Sequence, residues 1–205
     1  MRIVIELQGP TPLMMHNERL SLRDNPFARQ IAEITAKGVN QTDADKELVA
    51  KLEWYGGLYT DAAGNVVLPT KNVIKSFAEA GTITKSGKKI KQGITPYAMD
   101  VPLIIPDPLH QDTLWEKPQY RDARPVKIGR GKILRTRPIF HRWAATLDAE
   151  LLTDVLNIDQ AVSIAELAGR AVGLCDARNI GYGRFTAKLK KLTAPKRAPS
   201  ELEAV

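Results

Sequence analysis

The segment that most constrains this chain lies near its end. There Ala165-Glu-Leu-Ala-Gly-Arg-Ala-Val-Gly173 reads as a helix, followed by Leu174-Cys-Asp-Ala-Arg-Asn-Ile-Gly181-Tyr-Gly183-Arg184-Phe185 and then the strand-like Thr186-Ala-Lys-Leu-Lys190. Glycine permits backbone angles and close approaches that a side chain forbids. Gly173, Gly181 and Gly183, beside Arg170, Arg178 and Arg184, therefore predict a main-chain surface against which a phosphate backbone can lie. The plainer alternative is a tight helix cap followed by a packed strand. Dinucleotide and Walker loops are excluded, because they follow a strand and open a helix, whereas this loop follows a helix and opens a strand.

A chain of 205 residues supports one substantial core, so a single domain over 1–192 with insertions is expected. Residues 193–205, Thr-Ala-Pro-Lys-Arg-Ala-Pro-Ser-Glu-Leu-Glu-Ala-Val, have little to bury and predict a flexible tail. The formal net charge is +7, and the excess is local. Residues 121–142 carry Arg121, Arg124, Lys127, Arg130, Lys132, Arg135, Arg137 and Arg142 against Asp122 alone. Such concentration favours a face for polyanions over a generally basic surface, the competing reading being a solvated hairpin. Cys175 is the sole cysteine, which excludes an intrachain disulfide, and nothing suggests a metal or another cofactor. Neither a signal-like apolar run nor a membrane-length segment is evident, so a cytoplasmic protein with no membrane partner is expected.

Residues 2–8 predict a first strand ended by Gly9-Pro10, and residues 14–40 an insertion with a short helix over 28–36. Thr42 caps a helix running to about Trp54. Gly56 to Leu68 reads as a hairpin turning at Asp61, Gly64 and Asn65. Thr70 then caps a helix over 71–80 with a buried stripe of Val73, Ile74, Phe77 and Ala80. Lys85, Lys88, Lys89 and Lys91, spaced by Ser86 and Gly87, predict a mobile loop. A proline-bounded strand follows at 98–107, then an irregular stretch from Pro106 to Tyr120, a basic hairpin arm over 126–140 and an alternating strand over 143–151. A helix beginning at Asp159 or Ser163 leads into the glycine loop. Strands interleaved with two helices, the last element a strand, agree with an α+β, ferredoxin-like (RRM-like) βαββαβ core with insertions.

Three pieces of the chain carry a family resemblance. The helix, glycine-rich turn and Gly181-Tyr-Gly-Arg-Phe185 run resemble the end of a RAMP-superfamily protein. Asn65-Val-Val-Leu-Pro-Thr-Lys-Asn-Val-Ile-Lys75 is similar to that family's strand, Ile-Pro-Gly-Ser-Ser, helix segment. The first strand followed by Thr11-Pro12-Leu13 is the third match, and the pieces occur in the family's order. Thr70-Lys71 stands where the backbone subunits of CRISPR effector complexes carry Gly-Ser. The resemblance implies the ferredoxin-like fold and an RNA-binding subunit.

The residues give the same direction. Binding single strands without sequence preference needs cations tracking phosphates and flat side chains against bases or sugars. In the arm Arg121, Arg124, Lys127, Arg130, Lys132, Arg135 and Arg137 supply the cations, interleaved with Ile128, Ile133, Leu134 and Ile139 so that one face can pack while the other meets a backbone. Arg178, Gly181, Tyr182, Gly183 and Arg184 form a second contact, and Lys85, Lys88, Lys89 and Lys91 a third. The helix start at Thr70, with Lys71 and Lys75, offers free amides and a positive dipole end to a phosphate. Among the aromatics Tyr120, Phe140, Trp143, Tyr182 and Phe185, core packing is expected for Trp143 and Phe185, and Tyr182 is expected to face a ligand. The expected partners are single-stranded RNA or DNA, copies of the chain in an oligomer or filament, and other effector subunits. No catalytic residue is expected. The rival is a guide-RNA-processing endoribonuclease using His16 or His141 as general acid or base, and a third reading is a phage-type protein coating single-stranded DNA.

Overall fold

The computed structural model describes residues 1–129 and 131–192. The chain runs β1 (Arg2–Gly9), β2 (Leu13–Met14), α1 (Pro26–Thr35), α2 (Asp43–Gly57), β3 (Val67–Pro69), α3 (Thr70–Ile83), α4 (Gly87–Gly93), β4 (Ile94–Pro96), β5 (Asp100–Pro102), α5 (Gln111–Trp115), β6 (Arg121–Ile128), β7 (Gly131–Phe140), β8 (Trp143–Leu151), α6 (Ile158–Leu167) and β9 (Thr186–Lys191). It is an α+β structure with antiparallel sheets.

The main sheet has the order β4–β8–β1–β9, every neighbouring pair antiparallel. β1 lies inside it because its alternation is strict: Ile3, Ile5 and Leu7 are buried, while Arg2 and Gln8 are exposed. The register sets these opposite Ala149, Leu147 and Ala145 of β8, so one face of the sheet is apolar from strand to strand. Val73, Phe77 and Ala80 of α3 and Ala161, Ile164 and Ala165 of α6 belong to the same buried cluster. The reverse face carries Glu6, Gln8, Thr146, Thr186 and Lys188 around a shallow depression. Two smaller sheets complete the fold, β2–β7–β6 and β3–β5.

The first strand, the 143–151 strand and the helix after Pro69 stand where the sequence pattern predicts them. Other segments differ, each for a tertiary reason. Pro69 occupies the cap position of α3, and Thr70 begins the helix with no capping bond; its hydroxyl donates to the carbonyls of Ala98 and Met99 at 2.8 and 2.9 Å. The lysine segment is a helix, α4, rather than a mobile loop. Its Ile90 is fully buried, and Gly87 lies so close to α3 that a Cβ would sit 2.6 Å from the Ala78 carbonyl oxygen. Gly56 and Gly57 end α2 instead of starting a hairpin, and they let the helix end pack closely: an added Cβ would meet Leu20 at 2.4 Å and Pro138 at 3.1 Å respectively. The Asp61 to Asn65 turn does form, with the Asp61 amide donating to the Asn65 carbonyl. In place of one strand over 98–107, β5 pairs with β3, and β4, which shows no strand pattern in sequence, supplies an edge of the main sheet. The tail predicted over 193–205 lies outside the described residues. No described helix is long and apolar enough to cross a membrane.

α2 starts from a reciprocal cap: the Asp45 amide donates to Thr42 Oγ1, and the Asp45 carboxylate accepts from the Thr42 amide and from Lys37. The bonds from Lys37 and Thr42 depress the Asp45 pKa from 3.8 to about 2. A folded-state pKa below the unfolded one stabilises above the unfolded value, and that contribution disappears as pH falls from about 4 towards 2. Asp45→Ala is expected to lower the urea midpoint at pH 7, with the gap from wild type closing as the pH is brought down through this window.

Candidate nucleic-acid interface

The chain leaves α6 through a widened turn in which the Gly173 amide donates to the carbonyl of Ala168, five residues back, at 2.8 Å. Gly173, Gly181 and Gly183 all take positive φ, at +82°, +94° and +65°. Gly169 and Gly183 are required by contact: a Cβ would lie 1.9 Å from the Phe185 carbonyl oxygen and 2.1 Å from that of Leu174. The amides of this loop are largely spent on the protein itself. Leu174 donates to Gly183, Gly183 to Pro12, Phe185 to Gly169, and Arg184 to Thr11 Oγ1. The predicted surface of exposed amides is thus corrected: the glycines at 169, 173 and 183 knit the end of α6 to the start of β9 and to residues 11 and 12. Gly181 alone of the loop's glycines has nothing within 4 Å of an added Cβ.

The side chains do converge. Arg124 of β6 donates to the Tyr182 hydroxyl at 2.7 Å, and its guanidinium lies 5.1 Å from the centre of that ring. The basic hairpin is thereby docked on the glycine loop. Arg178 is paired with Glu79 of α3 at 2.7 Å, and Arg184 donates to the Arg178 carbonyl at 3.2 Å.

The predicted division of the arm into a packing face and a free cationic face is corrected as well. Its register sets Asp122 opposite Arg137 and Arg124 opposite Arg135, hence on one face. Each of these arginines has a carboxylate: Asp122 for Arg124, Glu53 for Arg135, and Asp176 for Arg137, the last at 3.0 Å. Glu53 is buried on α2 and also accepts from the Thr136 amide at 2.8 Å. Because the stem of the hairpin packs against α2 and the loop, its arginines are partly desolvated, and a cation in that setting requires a carboxylate. The bond to Asp122, then that to Tyr182, holds the Arg124 pKa above its ordinary value. Lys127 and Lys132 face one another across the ladder towards the tip, with no carboxylate partner among the described residues. Arg121 lies over the Trp115 ring at 4.8 Å. Arg130 falls outside the described residues.

The third group divides. Thr70 is buried and points its donors inward, and Lys71 pairs with Glu18 at 2.6 Å, so the predicted phosphate site at the start of α3 is occupied by the protein's own groups. Lys75, Lys85, Lys88 and Lys91 instead line a common cleft between α3 and α4, and Lys89 is outside its lining. Of the aromatics, Trp143 and Phe185 are core residues as expected, and so are Tyr120 and Phe140; Tyr182 is half-buried beneath Arg124.

His16 opens onto a cleft of about 510 Å³ between α1 and the hairpin, lined also by Glu53, Lys127, Arg135 and Arg137. Its outer edge is exposed, yet the protein around the ring lowers its pKa by desolvation; Asp176 opposes the shift and Arg137 and Arg135 add to it. Burial thus disfavours the charged form of the imidazole. His141 is exposed at the other end of the arm. Sequence reasoning missed Glu53 and Asp176, whose only local signal is a carboxylate set inside the apolar runs Leu52-Glu-Trp54 and Leu174-Cys-Asp176. Among the described residues no group of three His, Cys, Asp or Glu side chains could hold a metal. No protein-family model matches the chain, and no curated protein does.

If Gly183 is fixed by contact and Gly181 only by its angle, alanine should separate them. Gly183→Ala adds a backbone clash to the left-handed penalty and should cost about 3 kcal/mol or more. Gly181→Ala should cost about 1 kcal/mol, both read from urea unfolding.

Proposed function

We propose that this chain is a cytoplasmic, single-stranded nucleic-acid-binding subunit, with RNA as ligand, that assembles side by side with its own copies along the strand, as in the RAMP superfamily it resembles. The strand order β9–β1–β8–β4, with α3 preceding β4 and α6 joining β8 to β9, supports a ferredoxin-like core for it. The observation that carries the reading is the Arg124 to Tyr182 contact, which joins two basic segments 58 residues apart in sequence. The paired arginines stiffen the arm, and the contacts to phosphate fall to lysines without carboxylates, Lys127 and Lys132 among them. Such contacts hold a strand without reading its sequence.

Fluorescence anisotropy with matched RNA and DNA oligomers tests this. Lys127→Ala with Lys132→Ala should weaken binding to all sequences alike and flatten the log–log salt slope by about 1.4, roughly 0.7 for each phosphate contact on a single strand. An unchanged slope would remove the arm from the interface, and tighter binding of DNA than RNA would favour a single-stranded-DNA coat protein.

His16, whose charged form burial disfavours, lines one cleft with Glu53 and Arg135, which favours a second reading, an endoribonuclease with His16 as general base. Under the main reading the wild type leaves labelled RNA intact. Cleavage by the wild type that disappears in His16→Ala, but persists in His141→Ala, would establish the enzyme instead.

A further inference from the structure

We propose that the cleft between α3 and α4 is a binding site for a compact, multiply charged phosphate group, a terminal phosphate or a short polyphosphate. It measures about 450 Å³ and is lined by Lys75, Glu79 and Thr82 from α3, Lys85 from the connecting turn, and Lys88 and Lys91 from α4. Glycine brings these lysines together. An added Cβ on Gly81 would lie 3.0 Å from the Gly87 nitrogen and one on Gly87 2.6 Å from the Ala78 carbonyl oxygen, so the two helices touch backbone to backbone and their lysines share one space. The lining carboxylate, Glu79, is already bound by Arg178.

Two local choices run against ordinary preference here, and the second is one that a bound anion would relieve. Lys85 takes φ +57°, a left-handed conformation that a residue with a Cβ adopts at a cost. Lys88 and Lys91 stand three apart on one short helix, where like charges repel. Departures from local preference gathered around one cavity are a mark of a functional site. Four ammonium groups exceed what one phosphodiester, with its single charge, can neutralise; a phosphomonoester or polyphosphate matches them better. The inference stands on the cleft itself and rests on the proposed function only in counting a strand end among the sources of phosphate.

Calorimetric titration with inorganic tripolyphosphate at fixed ionic strength tests it on the full chain. All four lysines are exposed, so their removal leaves the core intact. Lys88→Ala with Lys91→Ala should weaken tripolyphosphate binding at least tenfold. Lys89→Ala, on the same helix but outside the cleft, should change it less than twofold. No binding by the wild type, or equal loss in both variants, overturns the proposal. A second arm compares 5′-phosphorylated with 5′-hydroxyl oligonucleotides. An advantage of the phosphorylated strand that vanishes in the double variant supports the site with strand ends as its source; tripolyphosphate binding without that advantage supports it with a free polyphosphate. Tripolyphosphate binding with no oligonucleotide binding at all sustains the cleft and defeats the proposed function.

Discussion

The architecture depends on how closely the end of α6 can approach the start of β9. The Phe185 carbonyl occupies the space where a side chain on Gly169 would begin, and the Leu174 carbonyl does the same for Gly183. Only because both positions are glycine can the loop fold back sharply enough for β9 to add to β1, with Phe185 reaching the core beside Phe77 at a ring separation of 6.2 Å. The same packing leaves Tyr182 projecting between its two glycines, where Arg124 meets it. Fold and candidate interface therefore share one constraint.

A second principle governs the charge. An excess of +7 invites the view that every cation serves a partner. The buried Glu53 argues otherwise, since removing Arg135 from water without it would be costly. Arginines at the stem of the arm are structural pins, whereas the lysines at its tip and in the α3–α4 cleft have no carboxylate partner among the described residues. Under the proposed function, long-range attraction would act through all of them, and short-range contact would fall to those without a carboxylate partner among the described residues.

Legibility in the sequence followed the range of the interactions. β1 and β8 were readable because one face of each is buried and their side chains alternate, and α3 because Val73, Phe77 and Ala80 recur at helical spacing. The lysine segment looks like a loop until Gly87 is seen against Ala78, a contact with no local signature. β4 is too short to show a period and exists through its pairing with β8. At the candidate interface the basic arm and Tyr182 were visible as residue types. Their partners were not: Glu53 lies 82 residues from Arg135, and Asp176 is far along the chain from Arg137. Thr70 misled because a threonine after a strand resembles a cap, while Pro69 had already taken that position.

The central claim is that the tip of the arm and the glycine loop on which its stem docks both contact one strand. Photo-crosslinking of a 4-thiouridine oligonucleotide, with the attached peptides mapped by mass spectrometry, addresses it most directly. The account predicts adducts at the hairpin tip around Lys127 and Lys132 and at the loop around Tyr182. Adducts confined to the open face of the main sheet, at Gln8, Thr146 and Thr186, would contradict it.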